Sequence, residues 1–345
     1  MEMQDKEYLK YLKSFTETRL DTNRNFPKIS PYVKDYDFVE GGLTGYDQKW
    51  VARIGRMHLY RELITELNNN PNCSYDICYD RSDLEGVAPA EFSAVLKRPN
   101  YWCEVDFDVF GSRVLNYFGI PTVFNRRFEA LDKDVGFVRN YVASVSFIKQ
   151  NEEFFDLYDV NSKHDKKFEL KDASKYGLEE TLDRIGKIVE RFLRANHVKY
   201  SSEDIENYKR YMAMSIAVRV GVLADGDFKN GNTGIILNFA RSYFRPVPNF
   251  DFGELFDEDA LKDEKRIGLI RDYARLYPED FLSLSRKVES FVSRKNGKIS
   301  DCEKLANMHI REDNIRKFAL NSILKNVDII KQIEFELVGA MQSGE

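Results

Sequence analysis

The chain has 345 residues, 43% hydrophobic and 13% aromatic, enough to bury a sizeable core in one large domain or two lobes. Its 57 acidic and 52 basic residues give a net charge of −5 with both signs interspersed, which argues against a dedicated nucleic-acid binder. No apolar run approaches the ~18 residues of a membrane helix, the first residues lack a secretory layout, and Cys73, Cys78, Cys103 and Cys302 form no metal spacing. A cytoplasmic protein is expected, with free thiols rather than a Cys73–Cys78 disulfide; delivery as a secreted effector stays open.

Residues 1–70 read as an N-terminal helical extension. A helical run at Tyr8–Phe15 is broken by Pro27 and Pro31, and Gly41–Gly45 form a turn. Trp50, Ile54, Met57, Tyr60, Ile64 and Leu67 then recur at three- and four-residue steps, predicting a helix closed by Asn68–Pro71. The next block alternates as strands do, over Ser74–Tyr79 and Phe92–Lys97. Lys97 ends an apolar run, F-S-A-V-L-K, of the kind from which a kinase lysine reaches the α- and β-phosphates.

After Pro99, Trp102, Val105, Val109, Val114 and Phe118 line one helical face, and Gly119 with Pro121 closes it. Glu104 lies in the first turn, where a carboxylate suits the helix dipole and where it can pair with Lys97. Strands follow at Thr122–Phe128 and Tyr141–Ile148. The second leaves the strand-rich region at Ser146, Phe147 and Ile148, the position of a hinge whose backbone groups would contact adenine. From Leu178 the chain is helical, with Ser201 and Asp204 forming a capping box for a helix that runs into a polar loop near 225–232. Further helices are expected near 259–276, 278–294, 301–322 and 323–341, with one hairpin at about 234–249. The expected divisions are 1–70, 71–150 and 151–345.

The loop and hairpin, Val222 to Gly253, carry the chemistry. Asp227 is followed five residues on by Asn232, then by the apolar run Gly234–Leu237, a turn, and Asp251-Phe252-Gly253. This is the layout of a kinase catalytic site: an Asp that orients or deprotonates the attacking hydroxyl, and an Asn and a D-F-G Asp that hold metal. Phosphoryl transfer asks little covalent chemistry of a protein, so these residues have only to place metal and nucleophile about a charged phosphate. Each half alone is also an ordinary polar turn.

The segments A-D-G-D-F-K-N-G-N-T-G-I and P-N-F-D-F-G resemble the catalytic stretch of the HipA-like serine/threonine kinases, closest to the compact cell-translocating kinase A type. These are themselves similar to phosphatidylinositol 3-kinase-like enzymes. The resemblance covers about residues 74–255 and implies an α+β, bilobal protein-kinase-like fold with a small β-rich N-lobe and a larger helical C-lobe. It implies ATP and Mg²⁺ as cofactors and a protein Ser/Thr hydroxyl, in another protein or in the chain itself, as acceptor; an antitoxin-like partner stays open. On matching positions Asp227 is the catalytic Asp, Asn232 and Asp251 the metal ligands, Lys97 the phosphate lysine and Glu104 its partner. The family's Arg-His is Phe228-Lys229 here, so Lys229 is expected to act as a point charge on the transferred phosphoryl group. A kinase-fold pseudoenzyme, a nucleotidyl transferase and a helical interaction protein are the competing readings.

Overall fold

The computed structural model describes residues 38–39, 48–53, 63, 66, 74, 79, 93–98, 102–132, 137–149, 151–161, 168–294 and 297–343. The expected run at 8–15, the Gly41–Gly45 turn, Cys73 and Cys78 lie outside them. Of the expected 74–79 strand only Ser74 and Tyr79 are described, in a turn and a bend.

Five strands form an antiparallel sheet: β1 (Phe38–Val39), β2 (Gln48–Arg53), β3 (Ser93–Arg98), β4 (Asn125–Asp132) and β5 (Phe137–Val145), in the order β1-β2-β3-β5-β4. The helix expected to begin at Trp50 is corrected here. Residues 48–53 instead pair along their whole length with β3, Trp50 opposite Leu96 and Lys49 opposite Lys97. A short apolar run such as W-V-A suits a pleated ladder as well as a helix, and the partner strand decides between them. Helix does occur further on, at Leu63 and Glu66. The sheet therefore begins well upstream of residue 71, and a division at residue 70 would cut it.

Helix α1 (Trp102–Phe118) follows β3 with the apolar face that the spacing predicts, burying Val105, Phe110, Val114 and Phe118. Gly119 ends it in the left-handed region, φ 77°. Gly111 is what lets α1 approach the D-F-G segment, because a Cβ there would lie 2.8 Å from both Phe252 Cβ and Leu255 Cδ1. Two acidic residues anchor opposite sides of the helix. Asp106 receives the Arg127 guanidinium and, at 2.9 Å, the backbone N–H of Arg311, while Asp108 points toward the D-F-G segment.

A second antiparallel sheet is built from β6 (Glu152–Asp156), β7 (Gly234–Asn238) and β8 (Tyr243–Pro246), in that order. Its β7–β8 hairpin is the one expected. The β6 strand is not legible in N-E-E-F-F-D, because what makes it a strand is a ladder to β7 about eighty residues away. Residues 146–149 join the two sheets. A parallel bridge, Thr122 to Asn249, stitches the start of β4 to the chain just before Phe250.

The remainder is helical: α2 (Leu157–Asn161), α3 (Ala173–Tyr176), α4 (Leu178–Ala195), α5 (Ser202–Ile216), α6 (Glu258–Lys262), α7 (Lys265–Leu276), α8 (Pro278–Val292), α9 (Asp301–His309) and α10 (Asp313–Ser343). The capping box at Ser201 and Asp204 is present on α5. The expected break at residue 322 is not found. It falls instead at Ile310–Glu312, and α10 runs unbroken with Ile315, Ala319, Ile323, Val327, Ile330 and Ile333 on its buried face. A single apolar stripe at three- and four-residue steps gives no reason to stop a helix.

After α5 the backbone widens into a π-helical turn at Ala217–Val222. Two of its carbonyls are satisfied by distant side chains: Arg266 of α7 donates to Gly221 O at 2.7 Å, and Asn326 of α10 to Val222 O at 2.7 Å. The helical core thus grips the segment from which the 225–232 loop departs. Among the described residues no helix is long and apolar enough to cross a membrane.

Candidate functional site

The loop is positioned by one buried cation. Arg219, in the π-helical turn, is wholly inaccessible; its Nε donates to Asp225 Oδ2 at 2.7 Å, and its terminal nitrogens to Phe250 O at 2.9 Å and Asp251 O at 2.7 Å. Its guanidinium lies between the rings of Phe228 and Phe252, 4.3 and 4.7 Å from their centroids. One side chain therefore ties the loop to the D-F-G turn. Backbone bonds add to the tie, from Gly226 N–H to Glu254 O at 3.1 Å and from Asp257 N–H to Ala224 O at 3.0 Å.

Within the loop, Asn232 donates its side-chain N–H to Asp227 O at 2.8 Å and to Asp227 Oδ2 at 3.2 Å. With the amide nitrogen so engaged, the carbonyl oxygen Oδ1 projects from the opposite side of the amide, as a hard oxygen ligand must. Lys229 donates to both Asp227 oxygens, at 2.6 and 2.8 Å. Partial burial lowers the Lys229 pKa, but the bond to Asp227 and the charges of Asp227, Asp251 and Glu254 outweigh it, and the net direction is up. Lys229 stays an ammonium.

At the other end, Asp251 adopts φ 61°, the left-handed region that costs a non-glycine residue about 1 kcal/mol or more. Arg219 holds its carbonyl, and the next peptide N–H, that of Phe252, donates to Asp108 Oδ1 at 2.6 Å. The carboxylate receives the ammonium of Lys97, which also donates to Asp108 Oδ2 at 3.1 Å. Glu104 flanks the same point: a Cβ on Gly253 would lie 3.2 Å from Lys97 Nζ and 3.4 Å from Glu104 Cβ. Lys97, Glu104 and Asp251 are thus brought together, with Asp108 beside them. Burial pushes the Asp108 carboxyl up, Lys97 opposes this, and Asp251 adds to it.

The linker between the sheets is pinned from β8. Arg245 donates to Phe147 O at 2.6 Å and pairs with Glu152, which also receives the Lys149 N–H at 2.9 Å. The Phe147 ring stacks on Phe250 at 6.0 Å, and Phe154 meets both edge-on. The aromatic cluster therefore runs from the linker to the residue before Asp251. Ile148 is exposed, with its N–H turned toward Ser146 Oγ at 3.4 Å.

No protein-family model matches the chain, and no curated protein does. Among the solved structures that are similar at a distance are two from bacteria. The proinflammatory kinase CtkA of Helicobacter pylori shares 12% identity at a TM-score of 0.45, over 72% of this chain and 88% of that one. HipA of Shewanella oneidensis MR-1, in a toxin–antitoxin complex with HipB and operator DNA, shares 11% at 0.34, over 70% of this chain and 60% of that one. Both are of the kinds to which the loop and the D-F-G segment bear a resemblance.

Sequence reasoning missed Asp108, Arg219 and the role of Asp225. The first was open to it, since Asp108 follows Glu104 by four residues and so shares its helix face. Arg219 had a weaker signal, one arginine inside the apolar run A-V-R-V-G-V. Among the described residues no three His, Cys, Asp or Glu side chains form a metal cage of their own. Asn232 and Asp251 instead offer the small set of oxygen ligands that Mg²⁺ accepts when phosphates and water complete its shell. One ammonium group, Lys97, pairs with Asp251, and a second, Lys229, with Asp227. This donor set fits a magnesium nucleotide.

Proposed function

We propose that the chain is an ATP- and Mg²⁺-dependent phosphotransferase of the bilobal kinase type, acting on a protein Ser/Thr hydroxyl. The observation that carries the reading is the Asn232 amide bonded to both the backbone and the carboxylate of Asp227, in a loop tied through Arg219 to Asp251. Bound ATP with Mg²⁺ supplies the γ-phosphoryl group and the charge neutralisation that its transfer needs. Asn232 and Asp251 would hold the metal, and Lys97, steadied by Glu104, the α- and β-phosphates. Ser146, Phe147 and Ile148 would offer backbone groups to adenine, although the Phe147 carbonyl already accepts from Arg245. Asp227 orients the acceptor hydroxyl and takes its proton, and Lys229 places a fixed positive charge beside it.

One observation favours a second reading. Lys229 bonds both Asp227 oxygens, the edge that would take the acceptor's proton. A pseudoenzyme of the same fold, or a nucleotidyl transferase, accommodates that contact. Incubation with γ-labelled and, separately, α-labelled ATP plus Mg²⁺ tests both. Protein labelled from the γ position alone is the expected result; label from the α position, or none from either, overturns the kinase reading.

A further inference from the structure

Lys97 shares its ammonium between a fully buried carboxylate, Asp108, and the carboxylate of Asp251. A divalent cation at Asp251 and the Lys97 ammonium draw on the same oxygens, so each weakens the other. Asp108 is built to receive the ammonium. Its Oδ1 is fixed by the Phe252 N–H at 2.6 Å, its backbone carbonyl by Asn125 Nδ2 at 3.1 Å, and its Oδ2 faces Lys97.

We propose that Asp108 is a positioning residue that sets how readily Asp251 takes a divalent cation, by offering the Lys97 ammonium a second carboxylate to pair with when a cation displaces it from Asp251. The proposal rests on the reading of Asp251 as a metal ligand. Without the Asp108 charge, Lys97 has no second carboxylate to take up and competes more strongly for Asp251. That competition weakens metal binding. The same carboxylate accepts the Phe252 N–H and so ties helix α1 to the D-F-G turn.

The test is the Mn²⁺ concentration at half of the ATP-dependent rise in melting temperature, at saturating ATP. Asp108→Asn keeps the size of the side chain and an acceptor for the Phe252 N–H. It should raise that midpoint about tenfold, the scale on which one charge at contact distance shifts a carboxylate's affinity for a cation. A purely structural role would weaken binding whatever residue 97 is. The proposal requires instead that Asp108→Asn change the midpoint little in a Lys97→Met background, where the competing ammonium is gone. An unchanged midpoint in Asp108→Asn overturns the proposal while leaving the metal reading intact. No metal-dependent rise in the wild type overturns both. Should either single variant fail to fold, the double variant read against the wild type decides, because removing both members of a buried pair is tolerated better than removing one. Equal midpoints there support the proposal, and a tenfold rise overturns it.

Discussion

The loop carries the spacing D-x-x-x-x-N twice, two residues out of phase, as Asp225 with Asn230 and Asp227 with Asn232. The first pair is sunk into the protein. Asp225 is held by Arg219, and Asn230 is wholly buried, its Oδ1 accepting from Leu170 N–H at 2.8 Å and its Nδ2 donating to Phe168 O at 2.9 Å. The second pair bonds to itself and leaves the Asp227 carboxylate about a quarter exposed. The pairs are also stacked in function, since Asp225 Oδ1 accepts the N–H of Asp227 at 3.1 Å. A buried polar side chain whose every group has a backbone or charged partner is scaffold. One that is aligned but still open to solvent is available for chemistry.

Three substitutions break or sharpen that contrast. Asp225→Ala strands the Arg219 guanidinium in the core and should lower stability by about 3–5 kcal/mol, measured by urea denaturation; a loss below ~1 kcal/mol would show that the pair is not scaffold. Asn230→Ala leaves a buried N–H and a buried carbonyl without their partner and should cost about 2 kcal/mol. The ATP-dependent rise in melting temperature should survive it; disappearance of that rise would mean that Asn230, not Asn232, serves the ligand. Lys229→His, which restores the residue of the kinases the loop resembles, should change stability by less than ~1 kcal/mol because the Lys229–Asp227 pair is only partly buried and stays open to solvent. Label transfer should hold or rise. A fall in transfer would show that the lysine itself is needed.

Much of this was legible in the sequence because it is local. The β3 strand, α1 with its glycine stop, the Ser201 capping box and the β7–β8 hairpin each follow from spacing and end signals within some twenty residues. What was not legible depends on partners far away in the chain. Trp50 belongs to a strand because β3 lies beside it, and E-E-F-F-D becomes one because β7 does. The same holds in the site. Asp227, Asn232 and Asp251 announce themselves by type and spacing, whereas Arg219 acquires its meaning only from carbonyls thirty residues downstream. Nor could the sequence choose between the two D-x-x-x-x-N pairs by pattern alone, since what distinguishes them is the burial of Asp225 against the partial exposure of Asp227.

The most direct test of the central claim is transfer of γ-label from ATP to protein by Asp227→Asn, read beside the ATP- and Mg²⁺-dependent rise in melting temperature of the same variant. The substitution keeps size and hydrogen bonding and removes only the carboxylate's charge and basicity. Transfer should fall about 10²- to 10⁴-fold while the ligand-dependent rise persists. Transfer at the wild-type rate would contradict the assignment of Asp227 and, with it, the account of this loop as a catalytic site.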